Sequence, residues 1–366
     1  MRDLESIRRR RNVGIMAHID AGKTTVTERI LKITGRIHRM GEVHDGAATM
    51  DFLDEERARG ITISAAAVNV SWRNHTITII DTPGHVDFTV EVERSMRVLD
   101  GAVCIFDAKE GVEPQSETVW RQAERYSVPR LCFVNKMDKA GADFGMTVRS
   151  IRKMLGANAV AVQLPMGSGG DFTGIVDLVL MKAHLYLSLE EREEVPIPED
   201  MLDEVHSWRT ALLECVCERD EKLLDQYVAG EEIAIPDLVR VLREAVCSGD
   251  VQPVFCGAAL RDKGIQRLMD GIVVLLPSPL DVPPVRGKND KDEAIERPAD
   301  PAAPVSALAF KTTHDRTGDL TFLRVYSGVL KQNQQLHNPR VKKVERIGRI
   351  LLMHADQREQ VESVGP

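Results

Sequence analysis

One short stretch near the N-terminus constrains the fold more than any other. An apolar run, Val13–Met16, leads into a loop of mostly small residues, and a helix-like run, Thr24–Ile33, leads out of it. The loop and the start of the helix consist of nine consecutive residues: Ala17, His18, Ile19, Asp20, Ala21, Gly22, Lys23, Thr24 and Thr25. Strand, small-residue loop, Lys-Thr and helix in this order are typical of a phosphate-binding loop.

The chemistry of such a loop follows from its backbone. N–H groups of the loop and of the helix N-terminus face the phosphates, and the helix dipole favours their negative charge. Lys23 would contact the β- and γ-phosphates, and Thr24 would bind Mg²⁺. The usual pattern opens with Gly, whereas this one opens with Ala17, so a strand-to-helix turn without a ligand is the alternative.

Length and composition describe a soluble protein of more than one domain. The 366 residues have room for two or three domains, and no run of about 18 apolar residues could span a membrane. The net charge is −8, so any nucleic-acid contact should be local. The six cysteines include no Cys-x-x-Cys pair, which favours buried, reduced thiols and a cytoplasmic location.

Strand-like and helix-like runs alternate through the first part of the chain. The strand-like runs are residues 13–18, 65–71, 76–81, 103–107 and 131–135. The helix-like runs between and after them are residues 86–99, 116–126 and 144–155. This alternation predicts an α/β fold with a doubly wound, mostly parallel sheet. Together with the phosphate-binding loop after the first strand, it predicts a fold of the P-loop NTPase type.

Three further changes of pattern predict the domain organisation. The alternation is interrupted at about residues 158–252, which predicts an inserted α+β subdomain within a first domain of residues 1–280. Within the insert, residues 159–164 are expected to form a strand and residues 201–227 a helix. Residues 281–304 are rich in proline and charge and are expected to be a linker. Short β-type runs in residues 305–366 predict an incomplete β-barrel.

Two stretches could respond to a γ-phosphate. The first follows a predicted strand and reads Asp81, Thr82, Pro83, Gly84 and His85. Asp81 could hold Mg²⁺ through water, the N–H of Gly84 could approach the γ-phosphate, and His85 could reach a water beside it. The second contains Thr62, whose hydroxyl could bind Mg²⁺. A plain turn and a hairpin entry are the respective alternatives.

Two more stretches suit a guanine base. One consists of Asn135, Lys136, Met137 and Asp138 at a strand end. The Asp138 carboxylate can accept bonds from guanine N1–H and the 2-amino group, which adenine does not offer there, although Asp138 could instead cap a helix. In the other, Gly257, Ala258 and Ala259 could present a backbone N–H to guanine O6, or form only a tight turn.

The order of these five stretches is more specific than any one of them. Phosphate loop, switch threonine, Asp-x-x-Gly, Asn-Lys-x-Asp and closing loop follow one another along the chain. We therefore expect GTP and GDP to be bound with Mg²⁺, and Thr24, Thr62 and Asp81 to form the metal site.

The motifs resemble those of the translational GTPases and, within that family, the elongation factor G group. The similar stretches are AHIDAGKTT, RGITI, DTPGHVDF, NKMD, FTGIVDL and FLRVYSG. The resemblance implies a ribosome-dependent GTPase whose hydrolysis drives tRNA–mRNA translocation. The chains of that family continue for several domains beyond the barrel. Ala258 departs from the serine often found there, and the insert is short.

The resemblance also implies roles for individual residues. His85 would orient the attacking water when an RNA loop of the large ribosomal subunit docks. Ile19 and Ile61 would form an apolar gate in front of His85, Asp20 would help to hold a cation, and Thr24 and Thr62 would ligate Mg²⁺ directly.

The implied partners are the ribosome and its RNA. Residues 314–318 and 324–328 match stretches that face small-subunit RNA, and ordinary barrel turns are the alternative. The protein is expected to be a monomer without a membrane partner. A paralogue acting in ribosome recycling or ribosome protection, and a non-hydrolysing nucleotide-binding scaffold, remain alternative functions.

Overall fold

A computed structural model describes residues 2–36, 67–81, 89–187, 192–289, 291–315, 318–354 and 357–366. Within these ranges no helix is both long enough and apolar enough to cross a lipid bilayer.

A seven-stranded sheet forms the centre of the first domain. Its strands are β1 (Arg10–Ala17), β2 (Ala67–Trp72), β3 (His75–Asp81), β4 (Gly101–Asp107), β5 (Arg130–Asn135), β6 (Ala159–Ala161) and β11 (Gln252–Cys256). They lie in the order β2-β3-β1-β4-β5-β11-β6, and only β2 runs antiparallel to its neighbour. β4 and β5 are buried along their whole length, because helices cover both faces of a parallel sheet. The predicted α/β class is confirmed.

Helices join the strands of this sheet. Those of the first domain are α1 (Arg2–Arg8), α2 (Lys23–Ile33), α3 (Thr89–Met96), α4 (Pro114–Arg125), α5 (Phe144–Leu155) and α9 (Ile265–Leu275). α4 begins with proline directly after Glu113, where a missing N–H costs nothing. Its residues Val119, Trp120 and Ala123 are buried at helical spacing against the sheet.

The insert has its own sheet and helices. These elements are β7 (Gln163–Met166), β8 (Gly174–Asp177), β9 (Lys182–Tyr186), β10 (Arg192–Val195), α6 (Leu202–Cys217), α7 (Glu221–Val228) and α8 (Ile235–Cys247). The four strands are antiparallel in the order β10-β9-β8-β7.

Two details of the insert differ from the sequence prediction. The apolar run at residues 159–164 is not one strand: β6 lies in the central sheet and β7 in the sheet of the insert. The helical pattern at residues 201–227 is two helices, because the Asp220 carboxylate accepts the N–H of Leu223 at 3.1 Å and caps a new helix.

The last part of the chain is built from short antiparallel pairs. Its strands are β12 (Val285–Lys288), β13 (Ala294–Arg297), β14 (Ser306–Asp315), β15 (Gly318–Ser327), β16 (Leu330–Lys331), β17 (Gln335–Asn338), β18 (Lys343–Arg346), β19 (Ile350–His354), β20 (Gln357–Val361) and β21 (Ser363–Val364). The segment expected to be a plain linker contains the β12–β13 hairpin. Val325, Leu330 and Ile350 form a small separate core.

A buried ion pair joins the β-rich part to the first domain. Arg324 Nη2 lies 3.0 Å from both carboxylate oxygens of Asp100, and Asn12 Nδ2 donates to the same carboxylate at 2.6 Å. Nearby, the hydroxyl of Tyr326 donates to the carbonyl of Arg97 at 2.8 Å. These contacts fix residues 97–100, just after α3, against strand β15.

Candidate functional site

The loop between β1 and α2 has a backbone that few sequences could adopt. Asp20 and Gly22 both have positive φ, 65° and 97°, and a Cβ on Gly22 would collide with the side chain of Asn135. Lys23 is buried, whereas Thr24 and Thr25 are half-buried. The N–H groups of Gly22, Thr24 and Thr25 have no acceptor among the described residues, as expected for a first helical turn. This end of α2 is therefore suited to an anion.

Asn135 joins this loop to the loop after β11. Its Nδ2 donates to the carbonyl of Ala21 at 2.9 Å, and its Oδ1 accepts the N–H of Ala259 at 2.9 Å. The side chain is 2% exposed. One amide thus ties together two loops that are more than 200 residues apart in the sequence.

Lys136 is held by a carboxylate that the sequence analysis did not select. Its Nζ lies 2.7 Å from Oδ2 of Asp107, at the end of β4. Burial raises the pKa of Asp107, but the bonds from Lys136 and from the N–H of Lys109 outweigh burial and leave that pKa below its usual value. The position of Asp107 at a strand end, beside that of Asn135, was the signal that could have identified it.

Asp138 lies at the same edge of the sheet and is mostly enclosed. Its side chain is 20% exposed, and its Oδ2 lies 3.6 Å from Nε of Arg261, whose own side chain is 69% exposed. An ion pair whose cation is largely exposed to water, at a separation of 3.6 Å, is weak. The carboxylate is therefore available to a ligand that offers two donors.

The closing loop is tied down through its backbone. The N–H groups of Gly257, Ala258 and Ala259 donate to Val134 O, Lys263 O and Asn135 Oδ1, respectively. Any bond from one of these three N–H groups to a ligand would therefore be shared with a protein acceptor.

The helix that follows the phosphate loop is also fixed to the closing loop. Arg29 of α2 donates to Asp262 at 3.2 Å and to the carbonyl of Leu260 at 3.0 Å. Burial raises the pKa of Asp262, against the opposing effect of Arg29. α2 and the closing loop are thus held in one position relative to each other.

His18 and Ile19 contact a segment that the sequence analysis did not connect with them. His18 Nδ1 lies 2.9 Å from Ser116 Oγ, and its Nε2 lies 3.6 Å from Glu110. The N–H of Ile19 donates to Oε1 of Gln115 at 2.8 Å. Burial lowers the pKa of His18, although Glu110 acts in the opposite direction. The imidazole thus contacts the first turn of α4 through Ser116 and the segment before that helix through Glu110. The Ile19 side chain is 45% exposed.

Several candidate residues lie outside the described residues. These are Ile61, Thr62, Thr82, Pro83, Gly84 and His85, together with the side chain of Asp81. Met137 is described and is buried, and its N–H donates to the carbonyl of Gly257 at 3.1 Å. Within the described part of the chain, no group of three or more His, Cys, Asp or Glu side chains is placed to hold a metal.

A cavity of about 520 Å³ lies elsewhere, between the central sheet and the β-rich part. Its lining includes Asn69, Thr78, Phe310 and Arg349 but no residue of the five stretches expected to bind the nucleotide. We consider the sheet edge the better candidate site, because the polar groups of four separate loops meet there.

The arrangement at this edge can hold a nucleoside phosphate. Four parallel strands, β1, β4, β5 and β11, end at the same edge of the sheet. Their last residues are Ala17, Asp107, Asn135 and Cys256. The free N–H groups at the start of α2 suit phosphates, and the Asp138 carboxylate suits a base that carries two donors.

Comparison with known proteins agrees with this geometry. Residues 8–278 match the family model described as the elongation factor Tu GTP-binding domain, and residues 318–365 match the model described as elongation factor Tu domain 2. A crystal structure of a protein from Thermus thermophilus superposes with a TM-score of 0.84 at 29% sequence identity. The match covers 97% of this chain and 51% of that protein, so the chain spans about half its length. The chain belongs to the translational GTPase family, with the GTP-binding domain and domain 2 that these models describe.

Proposed function

We propose that this protein is a ribosome-dependent GTPase of the elongation factor G type, which couples GTP hydrolysis to tRNA–mRNA translocation. The observation that carries the GTPase part is the junction at Asn135, which holds the phosphate loop and the closing loop together beside Asp138. The elongation factor G part is supported by the motifs quoted above and by an insert with its own sheet between β6 and β11.

The base would be recognised at Asp138 and Asn135. Asp138 would accept bonds from guanine N1–H and the 2-amino group. The second N–H of Asn135 Nδ2, which does not bond Ala21, would reach N7. The Lys136 stem would lie on the ring, because Asp107 fixes its Nζ at 2.7 Å.

The phosphates would bind at the start of α2. The free N–H groups there and the Lys23 side chain would surround the β- and γ-phosphates. The Thr24 hydroxyl, with Thr62 and Asp81, would hold Mg²⁺, whose charge offsets that of the phosphates.

Hydrolysis would depend on the residues around the γ-phosphate. His85 would orient the attacking water once the ribosome docks, and the N–H of Gly84 would contact the γ-phosphate. Ile19 and Ile61 would form the gate, and Asp20 would help to hold a cation near the developing charge.

Phosphate release from GTP, measured with and without ribosomes, tests this proposal. We expect strong stimulation by ribosomes in the wild type. The His85→Ala variant should keep its affinity for GDP and lose the stimulation. Unchanged turnover of that variant on ribosomes would disprove the role of His85. Stimulation of GTP hydrolysis without movement of tRNA and mRNA would favour a recycling or protection paralogue instead.

A further inference from the structure

Two residues at the start of α4, which is not part of the phosphate loop, form hydrogen bonds with that loop. We infer that Gln115 and Ser116 are positioning residues for GTP hydrolysis, because they fix His18 and Ile19 and thereby the backbone at Asp20. We call Gln115, Ser116 and their neighbour Glu110 the α4 clamp. The inference rests on the proposed GTPase function.

The contact from Gln115 is specific in its orientation. Its Oε1 accepts the N–H of Ile19 at 2.8 Å. A flipped amide would turn Nε2 toward that N–H and bring two donors together, so only one orientation is possible. The Nε2 atom is buried and has no acceptor among the described residues. The side chain is thus placed for the bond to Ile19 even though its second polar atom gains nothing there.

The contact from Ser116 fixes the His18 ring. Ser116 Oγ accepts the N–H of Glu113 at 3.4 Å and lies 2.9 Å from His18 Nδ1. A neutral ring protonated on Nδ1 would turn the lone pair of Nε2 toward the Glu110 carboxylate, 3.6 Å away. The favoured tautomer therefore carries its proton on Nε2, and the Ser116 hydroxyl donates to Nδ1.

The segment that precedes α4 is itself fixed by hydrogen bonds. The N–H of Gly111 donates to the carbonyl of Asp107 at 2.8 Å, and the N–H of Val112 donates to Ser150 of α5 at 3.3 Å. Asp107 also holds Lys136. The same segment therefore contacts both the base motif and the phosphate loop.

The residue most affected by the α4 clamp is Asp20. A non-glycine residue at φ 65° is strained and persists only where its neighbours fix it. The bond from Ile19 to Gln115 fixes the residue before Asp20, and the bond from Asn135 to Ala21 fixes the residue after it. Loss of the first bond should let Asp20 relax, while Asp138 and the N–H groups of α2 remain in place. Hydrolysis should therefore weaken more than nucleotide binding.

Three variants test the inference. Gln115→Leu removes the acceptor at similar size, and Gln115→Glu keeps an acceptor oxygen. Gln122→Leu makes the same chemical change on the same helix, at a half-buried residue away from the loop. We expect the rate of phosphate release on saturating ribosomes to be about tenfold lower in Gln115→Leu than in the wild type, as for one lost hydrogen bond. In Gln115→Glu the rate should be close to that of the wild type. The dissociation constant for GDP should stay within about twofold of the control, because no base contact changes.

Two results of these assays would overturn the inference. One is that Gln115→Leu hydrolyses GTP as fast as Gln122→Leu, and the other is that the hydrolysis rate and the GDP affinity fall together. Hydrogen exchange at the Ile19 amide gives a second readout that needs no ribosome. It should accelerate in Gln115→Leu and not in Gln122→Leu, and unchanged exchange would also overturn the inference. If ribosomes fail to stimulate even the wild type, the proposed function is wrong, and the exchange result still decides the role of Gln115.

Discussion

Asn135 should be the most sensitive single residue of the candidate site. Replacement by Ala removes both of its hydrogen bonds and leaves the carbonyl of Ala21 and the N–H of Ala259 buried without partners. A buried polar group left unpaired costs about 1–3 kcal/mol, so the two together should cost about 2–6 kcal/mol. A water entering the space would bring the value toward the lower end of that range.

Thermal unfolding of the nucleotide-free protein measures this loss. A loss of about 3 kcal/mol should lower the midpoint by about 6–12 °C. Hydrogen exchange at the Ala259 amide reports on the same bond locally and should accelerate strongly. The affinity for GDP should also fall, because the two loops no longer hold each other in place.

Asn158→Ala is the matched control. Asn158 is an exposed asparagine of the same domain, so its replacement should change the free energy of unfolding by no more than about 0.5 kcal/mol. If Asn135→Ala unfolds within about 1 kcal/mol of this control and Ala259 keeps its protection, Asn135 does not join the two loops as we describe.

Two further predictions concern contacts away from the site. Arg324→Ala leaves the buried Asp100 carboxylate without its cation and should lower the free energy of unfolding by about 3–5 kcal/mol. Adding Asp100→Asn should restore most of this loss, because the uncompensated charge is removed. A double variant as unstable as Arg324→Ala alone would exclude this cause. Burial, helped by Arg267, lowers the pKa of His184 to about 4 in the folded protein. As the pH drops, the imidazole is therefore protonated in the unfolded chain before it is protonated in the folded one. The free energy of unfolding should fall as the pH drops from about 6.5 to about 4. Urea titrations across that range should show a smaller fall in His184→Gln, and equal falls would refute the assignment.

The sequence was most informative where local pattern and structure coincide. The buried parallel strands β4 and β5 were predictable because continuous β-branched and apolar runs serve a sheet that is covered on both faces. α5 was predicted with the bounds that the structure has, since Asp143 caps its start and Gly156 follows its end. The order of the motifs along these strands indicated a guanine-nucleotide site.

Contacts between distant segments were not predictable from the same patterns. Nothing in the sequence connects His18 with Ser116, because the two segments meet only through the order of strands in the sheet. The motifs assigned Asn135 and Ala259 to one base site, but they did not predict that the two residues bond each other directly. Apolar runs also do not reveal which sheet they join, and this is why residues 159–164 proved to be two strands.

Nucleotide selectivity at Asp138 tests the account most directly. Xanthine carries a carbonyl where guanine carries the 2-amino group, so an amide at residue 138 should prefer xanthine. Competition against a fluorescent GDP analogue would compare GDP, ADP and xanthosine diphosphate on the wild type and on Asp138→Asn. We expect the wild type to prefer GDP over both competitors, and Asp138→Asn to lose about 100-fold in GDP affinity and to gain affinity for xanthosine diphosphate. Equal binding of ADP and GDP by the wild type, or an unchanged GDP preference in the variant, would contradict the account.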